Sequence, residues 1–83
     1  MNFDLWLEIC KSSGEEINLL EGSDGSGLWW TWRPRMIPGI TLFEDQAYYV
    51  FINNEQRLAS PNYKTAVQYW MAHKKEAETC HVS

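Results

Sequence analysis

A chain of 83 residues has side chains enough for one hydrophobic core and not two, so the sequence predicts a single compact domain spanning 1–83. At 45% hydrophobic and 22% charged residues the composition is that of a folded globular protein, which excludes a disordered chain. A net charge of −4 repels phosphate at long range, so free nucleic acid is a poor partner and a basic protein surface a better one.

The charge is unevenly placed. Residues 1–24 hold Asp4, Glu8, Glu15, Glu16, Glu21 and Asp24 against Lys11 alone, while the remainder is nearly balanced. The opening MNFDLWLEIC carries no basic leader and no apolar run of spanning length, which predicts a cytoplasmic protein without a membrane segment. Cys10 and Cys80 are too few for a disulfide framework and are expected as reduced thiols.

Residues 2–13 fit two periods. Phe3, Leu5, Leu7 and Ile9 alternate as in a strand, whereas Phe3, Trp6, Leu7 and Cys10 recur at the i, i+3, i+4, i+7 spacing of a helix. The helix is preferred: Asn2 can cap it, Asp4 suits the positive end of its dipole, and Gly14 can stop it in the left-handed conformation.

INLLEGSDGSGLWWTW reads as a hairpin, with Ile17–Glu21 and Leu28–Arg33 flanking a run of Gly, Ser and Asp. RPRMIPG reads as a connector, because Pro34 and Pro38 lack amide donors and Gly39 marks a turn. Tyr48–Ile52 and Arg57–Ala59 form a second hairpin about Asn53–Gln56, with 40–43 as a candidate short strand before it. Ser60 as N-cap and Pro61 at the first helical position open a helix over about 61–78, with Tyr63, Ala66, Val67, Trp70 and Ala77 on one side. The expected fold is α+β: a small antiparallel sheet of two hairpins, packed by a C-terminal helix, with an N-terminal helix.

The segment GSGLWWTWRPRMIPG concentrates the interest. In a strand, Leu28, Trp30 and Trp32 share one face, and Trp29, Thr31 and Arg33 the other. The first set is the more apolar and is expected to form the core under the C-terminal helix. On the other face, either the N-terminal helix covers the sheet, or Trp29, Tyr49 and Phe51 form an exposed patch beside Arg33 and Arg35. The first alternative is favoured on packing grounds; the second would make a binding surface, since aromatics and Arg are enriched at interface hot spots.

No catalytic or cofactor motif is present. GSDGSG lacks the GK[ST] ending of a phosphate loop and has too few acids for a calcium loop, so a hairpin turn explains it better. His73, His81, Cys10 and Cys80 are zinc-binding types without the spacing of a closed zinc site, and nothing pairs Cys10 with a base. The expectation is a non-enzymatic protein with no cofactor and no metal.

WWTWRPR could stack single-stranded bases, but such a platform needs a basic groove and the chain has only seven Lys and Arg. A protein partner with a basic surface is preferred, anchored by Trp29, Arg33, Arg35, Tyr49 and Phe51 and steered by Glu15, Glu16, Glu21 and Asp24. In size, charge and lack of motifs the chain resembles the small inhibitors that phages and mobile elements direct at bacterial defence, including anti-CRISPR and anti-restriction proteins. The likeness is one of type and carries over no residue roles. It implies occlusion of a nucleic-acid-handling surface on a larger protein.

Overall fold

The computed structural model describes residues 1–37 and 40–79, with the backbone alone of 33–37, 40–45, 78 and 79. Helix α1 (Phe3–Ser12) precedes strands β1 (Glu16–Ser23), β2 (Ser26–Ile37), β3 (Ile40–Ile52) and β4 (Glu55–Ser60), and helix α2 (Tyr63–Thr79) follows them. The strands form an antiparallel meander in the order β1-β2-β3-β4, and the fold is α+β as expected.

Both ends of α1 are built as the sequence implies. Asn2 Oδ1 accepts from the Leu5 amide at 2.8 Å, and Asp4 lies in the first turn. At the other end the Gly14 amide donates to Lys11 and the Glu15 amide to Cys10, the paired bonds of a Schellman stop, with Gly14 at φ +76°. The start of the helix is pinned to the β3–β4 turn: the Phe3 amide donates to Asn54 O at 2.8 Å and the Gln56 amide to Met1 O at 3.0 Å. That turn has Asn53 and Asn54 both at positive φ, the conformation a two-residue hairpin loop requires.

Strand alternation splits the apolar side chains into two cores. On one face Leu28, Val50 and Ile52 pack with Ala66, Trp70 and Ala77 of α2. On the other, Trp29 and Phe51 pack with Phe3, Trp6 and Cys10 of α1. Each face of the sheet is therefore packed by a helix over part of its area, with α1 over Trp29 and Phe51 as favoured on packing grounds.

Three sequence expectations need correction. RPRMIPG is not a connector: β2 continues to Ile37 and pairs with β3, while Pro38 and Gly39 lie outside the described residues. β1 pairs with β2 only as far as Trp32, so among the described residues Pro34 is paired on the β3 side alone and β2 is there an edge strand, where proline is tolerated. The second helix begins at Tyr63 rather than Pro61: Ser60 still pairs with Tyr48, and Asn62 Oδ1 caps the helix by accepting from the Thr65 amide at 3.2 Å. Of Leu28, Trp30 and Trp32, only Leu28 is fully buried. α2 seats on the part of the face made by Leu28, Val50 and Ile52, and the two tryptophans lie farther along β2. Cys80 and His81 lie outside the described residues.

A candidate binding face on the sheet

The part of the α2-side face that the helix leaves uncovered lies beyond its first turn. Trp30 and Trp32, half-buried, stand two residues apart on β2, which in a strand is about 7 Å. The register places Tyr48 of β3 opposite Trp30 and Gln46 opposite Trp32. Gln46 Oε1 accepts from Trp30 Nε1 at 3.2 Å and from the Tyr48 hydroxyl at 3.4 Å, so one amide oxygen orients two rings. Tyr63, from the first turn of α2, meets Tyr48 edge-on with centroids 5.3 Å apart and is 55% exposed.

The far side of this strip is acidic. On β1, Glu16 lies opposite Trp32 and Asn18 opposite Trp30, and both side chains are exposed. Directly opposed residues of an antiparallel pair share a face, so a carboxylate borders the indole row. Among the described residues, the side chains bordering Trp30 and Trp32 in this register are Glu16, Asn18, Gln46 and Tyr48, none of them basic.

The residues expected from the sequence to anchor a partner are placed differently. Trp29 is 7% exposed and Phe51 fully buried, both beneath α1, so no exposed patch forms from them. Tyr49 is half-buried against the Trp6 ring at 5.2 Å. The physical reason is the ring of contacts that α1 supplies: Trp29 lies 5.2 Å from Phe3 and 5.7 Å from Trp6 between centroids. The indole N–H groups of Trp6 and Trp29 are buried there with no hydrogen-bond partner among the described residues. The Arg33 and Arg35 side chains lie outside the described residues.

The carboxylates follow β1 and do not make one cluster. Glu15 and Glu16 stand at the α1 end, whereas Asp24 sits in the β1–β2 turn, roughly 26 Å away at about 3.3 Å per residue. Asp24 borders a shallow cavity of about 210 Å³ between the two hairpin turns, shared with Ser23, Ser26, Asn53 and Asn54. Glu21, itself exposed, is engaged within the chain, accepting from the Trp70 indole N–H. Of the four acids, Glu16 alone stands in register with the open indoles.

A second polar group ties β4 to α2. Arg57 is the extra residue of a bulge between Val50 and Phe51, which turns its side chain toward Glu76 at 2.9 Å. Glu76 also meets His73 Nδ1 at 2.8 Å, and the His73 ring stacks on Tyr69 with centroids 4.1 Å apart. Hydrogen bonds from His73 and then Arg57 hold the Glu76 carboxyl below its ordinary range. Those from Tyr69 and Glu76 push the Arg57 guanidinium upward, so it stays charged at any working pH.

Sequence reasoning had named neither Gln46 nor Tyr48 nor Tyr63 as surface groups. A signal was available in the helix: its buried stripe runs from Ala66 to Ala77, about 17 Å at 1.5 Å per residue, too short to roof a long strand. Among the described residues no three His, Cys, Asp or Glu side chains converge as metal ligands, and no helix is long and apolar enough to cross a membrane. Compared with protein-family models, curated proteins and solved structures, the chain matches none.

Proposed function

We propose that the chain is a small acidic protein-binding domain that acts by occlusion and not by catalysis, covering a basic nucleic-acid-handling surface of a larger protein. Inhibitors of the anti-CRISPR and anti-restriction type, carried by phages and mobile elements, would be its functional class. The observation that supports this is the row of half-buried Trp30 and Trp32 with the exposed Glu16 in register beside Trp32 on one face of the sheet. Indoles supply large contact area at small cost in side-chain ordering, and a bordering carboxylate steers toward Lys and Arg. The same two rings could stack single-stranded bases, but Glu16 beside them would repel the phosphates.

The test is affinity capture from cell extract by the tagged chain, with and without nuclease, in parallel with a Trp30→Ala/Trp32→Ala variant. A protein retained through nuclease treatment and lost with the double variant is the expected result. Capture that disappears with nuclease would transfer the function to nucleic acid. A captured protein indifferent to both substitutions would remove this face from the reading.

A further inference from the structure

Two of the donors on the strip that α2 leaves uncovered are committed within the chain. The Trp30 indole N–H and the Tyr48 hydroxyl both donate to Gln46 Oε1, at 3.2 and 3.4 Å. What the strip still offers a ligand is aromatic surface from half-buried Trp30 and Trp32, and the side chains of Glu16 and Asn18 along β1. Glu16 is exposed, and among the described residues it has no ion-pair partner. One full negative charge stands beside the indoles and no positive one, so the group this chemistry favours is a cation.

The register brings the two attractions to one place. Glu16 and Trp32 oppose each other across β1 and β2. On a shared face, opposed Cβ atoms stand about 4.5–5.5 Å apart. A cation held by an aromatic face sits within about 6 Å of the ring centroid, so a charge placed over Trp32 is also within reach of the Glu16 carboxylate.

We propose, resting on the reading of this face as the surface that docks a basic protein, that the group it takes is an arginine side chain of that partner, its guanidinium lying on the Trp32 indole and donating to Glu16. Planarity selects arginine over lysine. A guanidinium stacks through its face and donates through its edge, so it takes a ring and a carboxylate together. An ammonium is a compact, strongly hydrated charge that must shed water to approach the ring. A nucleobase has a face to stack, but its phosphate meets the carboxylate.

NMR of the whole chain, read at the indole N–H resonances, tests this with N-acetyl-arginine amide as the probe. The lysine and citrulline amides are the controls, and Trp30→Phe and Trp32→Phe assign the two peaks. The arginine amide is expected to shift the Trp32 and Trp30 resonances while those of buried Trp6, Trp29 and Trp70 stay in place. It should bind about two- to fivefold more tightly than the lysine amide, and citrulline, with the same shape and no charge, should leave every peak unmoved. Glu16→Gln, at an exposed position where folding is not at stake, should weaken the arginine response by a similar factor.

Equal responses to lysine or citrulline, an arginine response unchanged in Glu16→Gln, or shifts produced by a nucleoside monophosphate in place of arginine each overturn the proposal. Nuclease-resistant capture that depends on Trp30 and Trp32, without any arginine response, overturns it and leaves the protein-binding reading standing. An arginine response without such capture supports the arginine site and overturns the occlusion reading instead.

Discussion

The indole N–H of Trp70, in the middle of α2, donates to the carboxylate of Glu21 on the edge strand β1. The contact spans 49 residues of sequence and joins the last element to the first strand. Gly22, next to Glu21, makes room for it: a Cβ there would stand 3.0 Å from Trp70 Cζ2 and 2.6 Å from Ser26 O, at φ +96°. Acceptor and space thus come from two consecutive residues.

Removing that acceptor leaves a buried N–H. Glu21→Ala is expected to lower stability by about 1–3 kcal/mol, and Glu21→Gln, which keeps an oxygen, by less. In a Trp70→Phe background the Glu21→Ala loss should shrink. A double-mutant cycle by urea denaturation measures the coupling, and a cycle energy near zero would show that the bond contributes nothing.

Adjacent tryptophans should respond differently to truncation. Trp29 is buried against Phe3 and Trp6, so Trp29→Ala is expected to cost about 3–5 kcal/mol through lost transfer energy and the cavity left behind. Trp30 is half-buried, and Trp30→Ala should cost markedly less while carrying the larger effect on partner capture. Thermal unfolding of the two variants separates them, at roughly 4–8 °C per kcal/mol for a domain of this size. Equal losses would place Trp30 in the core.

Acid should loosen the α2–β4 junction. His73 and Arg57 stabilise the ionised form of Glu76, so its folded pKa lies below the ordinary 4.5. A depressed carboxylate contributes stability that is fully present above that ordinary value and is lost as pH falls through the folded one. Denaturation midpoints should therefore fall more steeply below about pH 4.5 in the wild type than in Glu76→Gln. Parallel profiles would show that the cluster makes no pH-dependent contribution.

Glu16 should act on association rate. Glu16→Lys is expected to slow binding to a basic partner and to flatten the salt dependence, with little change in dissociation, because a rim charge works mainly on encounter. Stopped-flow association at low and moderate ionic strength reads this. Asp24→Lys, at the opposite end of β1, should have the smaller effect, and the reverse order would move the contact to the hairpin turns.

Much of the architecture was legible in the sequence because its causes are local. Asn2 and Gly14 bracket α1 through bonds to residues three to five positions away, and Asp24-Gly25 and Asn53-Asn54 supply the backbone freedom of tight turns. Period-two alternation likewise placed Trp29 and Phe51 on one face and Leu28 and Val50 on the other. Those features need no knowledge of what packs above them.

Which face is open was decided by tertiary structure alone. Alternation assigns Trp29 and Trp30 to opposite sides of β2 but cannot say where each helix comes to rest. That position is set by long-range contacts: the α1 start on the β3–β4 turn, and Trp70 on Glu21 and Gly22. These anchors bring α1 over Trp29 and hold α2 over Leu28, leaving Trp30 and Trp32 beyond its reach. The length of β2 was hidden for the same reason, since a proline is read as a break until the strand is known to lie at a sheet edge there. Burial depends on the distance between surfaces, and a sequence records only the order of residues.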